Sequence, residues 1–258
     1  MSLADKVRSS AIVARANTTL PERPDRLPRA MLAALPYGRG TLGAVAASCH
    51  RYPEATAVVG ADESLTYREL WRTSKALANG LADVGVGPDS TVGILSRNSP
   101  FFVQTVVAGL MLGADLVFLN TGFGQGQLAE VAVAEQLSCI VHDDEATGLV
   151  RAGPVTLNFS RSEVLDLIAK DKSSILDRPS KSSRLVVLTS GTTGRPQGAA
   201  RSSRSGPDGI AALLGRVPMR LRDTIVIPAP FFHAWGLANL LIGLGLSATV
   251  VSDPKFDP

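Results

Sequence analysis

The amino-acid sequence predicts an α/β fold, mostly parallel sheets flanked by helices, and three observations carry that prediction. Between residues 91 and 169 short apolar runs of strand character alternate with helical stretches, as parallel strands joined by helical crossovers do. Leu185-Val186-Val187-Leu188 is too short for a helix and continuously apolar, so it reads as a buried strand. The composition, 45% apolar and 19% charged over 258 residues, is that of a soluble globular chain with room for one large or two ordinary domains.

Residues 1–40 read as a variable extension in which arginines outnumber acids. Two readings stay open for its apolar piece at 30–35: a peripheral membrane contact, or a solvated extension packed loosely on the domain. Gly38-Arg39-Gly40-Thr41-Leu42-Gly43 spells a dinucleotide fingerprint, but Pro36 stands where that fingerprint needs a strand. Thr41 is expected instead to N-cap a helix running to Arg51. A strand pair follows at 56–60 and 64–66. Thr66 and Glu69 then have the spacing of a capping box, and Leu70, Trp71, Ser74, Leu77, Ala78 and Leu81 recur at helical period until Gly85 and Gly87.

The alternation continues with strand 91–95, helix 100–112, strand 115–119, helix 125–137, strand 138–141, a helix at 144–150, strand 155–159 and helix 161–169. The Ser/Lys-rich stretch 170–183 is a connector, and a subdomain boundary is placed there. The expected organisation is therefore 1–40 extension, 41–180 first α/β subdomain, and 181–258 the start of a second. In the last part a helix is expected at 208–214, a strand at 224–227, and a further helix before strand 248–251. No internal repeat is visible.

Composition also excludes functions. A net charge of +3, 5% aromatic residues and no dense Lys/Arg block give nucleic acid no footprint. Cys49 and Cys139 lie far apart in apolar surroundings, the pattern of reduced core thiols, which predicts a cytoplasmic location. Asp5, Lys6 and Arg8 occupy the place of a signal peptide's apolar region. The apolar runs at 100–114 and 236–251 fall short of the roughly 20 residues that span a bilayer.

The chemistry concentrates at residues 189–198. Gly191, Gly194 and Gly198 can expose successive backbone N–H groups, and Thr189, Ser190, Thr192 and Thr193 add hydroxyl donors, so this loop suits a phosphate. It is not a Walker A loop, since no Gly-x-x-x-x-Gly-Lys-[Ser/Thr] occurs. His233 sits in Pro230-Phe231-Phe232-His233-Ala234-Trp235-Gly236, whereas His50 and His142 have no comparable context and Cys139-x-x-His142 has too few partners for zinc.

Thr189-Ser190-Gly191-Thr192-Thr193-Gly194-x-Pro196-x-Gly198 resembles the phosphate-binding signature of the adenylate-forming superfamily, and from about residue 40 onward the chain is most similar to bacterial fatty-acyl-CoA synthetases. Leu65-Thr66-Tyr67-x-Glu69-Leu70, the stretch from Gly109 to Asn120, and Pro230-x-Phe232-His233-x-x-Gly236 resemble further motifs of that superfamily. The resemblance implies the N-terminal portion of an acyl-CoA synthetase-like fold and of a fatty acid:CoA ligase using ATP, Mg²⁺ and coenzyme A. It gives Thr189, Ser190, Gly191, Thr192, Thr193, Gly194, Gln197 and Gly198 to phosphate binding and His233 to the substrate carboxylate. One position departs: Gln197 stands where the superfamily has Lys, replacing a charged donor with a neutral one.

The superfamily's adenine motif, hinge and C-terminal lysine domain are not found in these residues. The chain is accordingly expected to have little ligase activity alone and to need a complementing C-terminal chain. The alternative is a non-catalytic phosphate- or acyl-binding fragment, or one half of a two-chain adenylating enzyme.

Overall fold

A computed structural model describes residues 25–38, 40–170, 179–190, 196–201, 214–215, 217 and 219–252. The helices are α1 (Arg26–Ala34), α2 (Thr41–Arg51), α3 (Tyr67–Asp83), α4 (Pro100–Leu112), α5 (Gln125–Ala134), α6 (Thr147–Arg151), α7 (Arg161–Ala169) and α8 (Ala234–Gly245). The strands are β1 (Thr56–Val59), β2 (Ser64–Thr66), β3 (Thr91–Leu95), β4 (Asp115–Phe118), β5 (Cys139–His142), β6 (Asn158–Ser160), β7 (Leu185–Ser190), β8 (Pro196–Arg201), β9 (Thr224–Val226) and β10 (Thr249–Val251).

They form two sheets. The larger has six strands in the order β6-β5-β3-β4-β7-β8, parallel except for the edge hairpin β7–β8. The smaller has the order β2-β1-β10-β9, with only β2 antiparallel. Both sheets draw strands from either side of the 170–183 connector, because β7 pairs with β4 and β10 pairs with β1. The expected mixed α/β, mostly parallel architecture is the one observed.

At the centre lies α4, all 13 of whose residues are buried. This helix has no wet face and packs on α3, β1, β3 and β4 in the main core, its two polar side chains bonded inside, Gln104 to Thr73 Oγ1 and Thr105 to Phe101 O. Ser99 caps it, Pro100 opens it, and Gly113 (φ +70°) closes it in the left-handed region. A second core, with Val117, Leu119, Leu128 and Val131, covers the other face of the larger sheet. Being covered on both faces is why its strands are continuously apolar.

Local signals placed most elements, with informative differences. Thr66 accepts from Glu69 N (3.2 Å) while Glu69 accepts from Thr66 N (2.8 Å), the reciprocal capping box expected. The same arrangement recurs at Ser160 and Glu163. Thr41, expected as an N-cap, is the first helical residue; Gly40 is the cap, with no side-chain bond. The Gly-x-Gly-x-x-Gly run has a packing reason: Gly38 has φ +72°, and a Cβ on Gly43 would lie 1.9 Å from the Gly38 carbonyl oxygen.

The helix expected to reach residue 137 stops at Ala134, because Gln136 turns left-handed (φ 52°) and Leu137 N closes on Ala132 O at 2.9 Å. The stretch 144–150 divides into a 3₁₀ turn and the short α6, and strand 155–159 pairs only from Asn158. Most of the helix expected at 208–214 lies outside the described residues. Cys49 and Cys139 are buried free thiols, and burial pushes the Cys139 thiol up to about 12.

Candidate functional site

The strands β6, β5, β3, β4 and β7 run parallel, so their carboxyl ends share one edge of the larger sheet. Such edges collect loops and helix N-termini with unpaired N–H groups, which is where open α/β sheets bind ligands. Just past β3 and β5, whose last residues Leu95 and His142 are register partners, the two chains are tied together. Asp143 accepts from Ser96 Oγ (2.7 Å) and Arg97 N (2.8 Å). Burial raises the Asp143 carboxyl above its ordinary value, against the pull of these hydrogen bonds.

Asn98 comes next and uses both ends of its amide. Its Nδ2 donates to Ala229 O (3.0 Å) and its Oδ1 accepts from Phe231 N (2.7 Å). Asn98 is buried, so these bonds replace the water its amide would otherwise hold. The segment leading to the candidate histidine is thereby fixed to the carboxyl end of β3. Phe231 is fully buried, with its ring 5.4 Å from that of Phe102, which in turn stacks on Phe118 at 5.8 Å.

His233 is exposed at the N-cap position of α8 with extended backbone (φ −98°, ψ 151°). Its backbone N–H donates to Pro230 O (3.0 Å), its ring lies 4.5 Å from that of Phe232, and its side chain does not cap the helix. Trp235 is exposed. At Gly236 a Cβ would sit 2.2 Å from Pro230 O, so the turn before α8 closes only over glycine. The spacing Pro230-x-Phe232-His233-x-x-Gly236 thus presents an imidazole above an apolar wall.

The hydroxyl- and glycine-rich stretch begins at the carboxyl end of β7. In the β7–β8 hairpin Leu188 pairs with Gly198, Thr189 with Gln197 and Ser190 with Pro196. Gly191, Thr192, Thr193 and Gly194 lie outside the described residues. The hairpin leaves the same edge as Asn98, two strands away in the order β3-β4-β7, or about 10 Å across the sheet. Asp115, an unusual acid at the start of β4, anchors the entry to β7: its Oδ1 accepts from Arg184 N (2.9 Å), and Arg184 Nε lies 3.4 Å from Oδ2.

The partners of Asn98 and Asp143 lie 46 to 133 residues away, so no local pattern marks what these two side chains hold. The donors at 189–198 are hydroxyls, backbone N–H groups, the Arg195 guanidinium and the Gln197 amide, without a carboxylate, a set suited to phosphate rather than to a bare cation. Among the described residues no group of three or more His, Cys, Asp or Glu side chains is placed to hold a metal. Nor does any described helix have the length and apolarity to cross a membrane.

Residues 45–258 match the family model described as AMP-binding enzyme. The chain belongs to the AMP-binding enzyme family. Over 213 residues it is 30% identical to feruloyl-CoA synthase of an Amycolatopsis species, spanning 80% of this chain and 42% of that protein. Over 219 residues it is 27% identical to long-chain-fatty-acid–CoA ligase FadD13 of Mycobacterium tuberculosis, spanning 76% of this chain and 41% of that one. It therefore covers less than half the length of these AMP-binding relatives. Among solved structures, the inhibitor-bound N-terminal domain of FACL13 from Mycobacterium tuberculosis shares the fold with a TM-score of 0.75 at 21% identity, covering 84% of this chain and 58% of that one. The o-succinylbenzoate coenzyme A synthetase of Bacillus subtilis in complex with AMP does so with a TM-score of 0.74 at 23% identity, covering 83% and 56%.

Proposed function

We propose that this AMP-binding chain is the N-terminal portion of an ATP-dependent fatty acid:CoA ligase. The observation that supports the reading is the shared carboxyl edge, from which the β7–β8 hairpin emerges and to which Asn98 ties the segment that leads from β9 to His233. In this reading the hydroxyls of Thr189, Ser190, Thr192 and Thr193 and the N–H groups of Gly191, Gly194 and Gly198 hold the β- and γ-phosphates of ATP. Gln197 contributes a neutral amide where a lysine would bring charge. His233, whose ring lies against that of Phe232, hydrogen-bonds the fatty-acid carboxylate and orients it.

The carboxylate oxygen attacks the α-phosphorus, forming an acyl–AMP anhydride and releasing pyrophosphate. The thiolate of coenzyme A then attacks the acyl carbon and AMP leaves. When bound, Mg²⁺ would supply charge neutralisation on the phosphates. This chain's residues orient the carboxylate. The remaining machinery is assigned to a complementing C-terminal part, and the setting to the cytoplasm.

Calorimetry of ATP·Mg²⁺ binding to the 258-residue chain tests the first half of this reading. Ser190→Ala/Thr193→Ala is expected to weaken binding about a hundredfold, the worth of two lost bonds to a charged phosphate at roughly 1.5 kcal/mol each. Unchanged affinity would remove the hairpin from the site. Acyl-CoA formation by the chain alone is expected at background, and robust turnover would overturn the division of labour. One observation favours the alternative of a non-catalytic phosphate- or acyl-binding fragment: the uncharged Gln197 in the ladder opposite Thr189. That alternative leads if Gln197→Lys is needed before any nucleotide binds.

A further inference from the structure

At the opposite end of β1 from Gly60, remote from the carboxyl edge, α1 presents an apolar face to solvent. Leu27, Met31, Leu32 and Leu35 are 51%, 63%, 66% and 70% exposed, and Pro28 lies exposed between them. Ala30, on the opposite side of the helix, is the residue that packs inward. Isolated exposed leucines are ordinary, but a whole outward helix face made of them is not, and among the described residues nothing covers it.

Charge surrounds this face. Beside α1 a groove of about 750 Å³ runs to α3, with Ala33, Pro53 and Trp71 in its walls and Arg29, Arg68 and Arg72 along it. A neighbouring cavity adds Arg26, Arg51 and Arg222, whose guanidiniums lie 4.9, 5.4 and 5.0 Å from the Tyr52 ring. The acids at this end are Asp25, 3.2 Å from Arg29; Glu54, held by Arg68; and Glu69, whose carboxylate turns back to Thr66 N. Among the described residues these six arginines face three carboxylates, and the turn that carries Arg222 adds Arg220 and Asp223, so arginines exceed carboxylates there by three. Tyr37 and Trp71, edge to face at 5.4 Å, supply the amphipathic rings that favour the headgroup level.

We infer that α1 and the arginine-lined groove beside it form a docking face for an anionic phospholipid bilayer. The apolar face enters the acyl boundary while the arginines meet the lipid phosphates. A second protein surface would need a matching acidic rim, whereas an anionic bilayer supplies diffuse negative charge and an apolar interior together. The inference does not depend on the ligase reading.

Co-sedimentation of the 258-residue chain with phosphatidylglycerol–phosphatidylcholine vesicles, against pure phosphatidylcholine, is the test. Binding is expected only with the anionic lipid and falls as salt is raised. Met31→Asp/Leu32→Asp should lower it at least tenfold, and Arg29→Glu and Arg72→Glu by about fivefold each. All four side chains are exposed, so circular dichroism and melting temperature should hold. No binding to anionic vesicles, or binding that survives these substitutions, overturns the inference. So does a lipid-free dimer that Met31→Asp dissociates while vesicle binding is absent, or vesicle binding that appears only after residues 2–24 are removed.

Discussion

Asn98 shows how much of the candidate site rests on one side chain. Its amide is the partner of a buried N–H at Phe231 and a carbonyl at Ala229. Asn98→Ala leaves the Phe231 N–H buried and unpaired and the partly buried Ala229 carbonyl without its donor, and the expected loss is about 2–3 kcal/mol in urea unfolding. Arg97→Ala removes an exposed side chain while keeping the backbone N–H that Asp143 accepts, and should cost less than about 0.5 kcal/mol. Equal losses in the two variants would show that the amide bridge does not hold the segment. From the sequence, Asn98 was readable as a turn residue before a proline. Its second role depends on partners more than 130 residues away, which no local pattern records.

Helix ends carry much of the pH response. Backbone hydrogen bonds from Thr66, Ser160 and Ser162 hold Glu69, Glu163 and Asp144 below the usual carboxylate range. A depressed folded-state pKa means stability that is present above the unfolded value and lost as pH falls through the folded one. Asp143 has the opposite sign: burial raises it, so its contribution declines as pH rises from the unfolded value through the folded one. The three depressed carboxylates should therefore lose stability on acidification from about pH 5 to 3, with Asp143 acting against them. In urea titrations Glu163→Gln, which keeps an acceptor for Ser160 N, should flatten that slope, and Asp143→Asn should steepen it. An unchanged slope in Glu163→Gln would mean that this box is not ionised in its cap. The signals for both boxes stand in the sequence as Thr-x-x-Glu and Ser-x-x-Glu, because a cap is closed within one helical turn.

Across the whole molecule, distant parts of the chain complete each other's cores. Tyr67 Oη donates to Ala248 O at 2.7 Å, Thr249 Oγ1 donates to Thr56 O at 2.9 Å, and β1 is the register partner of β10. Ending the chain after Asp223 would expose the inner edge of β1 and leave the fully buried Tyr67 without its acceptor. Such a chain is expected to lose its cooperative thermal transition and to bind an apolar dye; a melt like that of the 258-residue chain would show that the smaller sheet is not needed for folding. By itself the sequence determined the α/β class, most strands and helices and the Thr66–Glu69 capping box, since periodicity and caps are short-range features, whereas α1, read as part of an extension, β8, read as part of a loop, and the Gly40 cap were not foreseen. The tertiary structure alone decided that β7 lies beside β4, that β10 lies beside β1, that Gly236 must abut Pro230, and that Asn98 and Asp143 tie the site's segments together. Those contacts join residues that are near in space and mostly remote in the chain, and only packing the two sheets around α4 brings them within bonding distance.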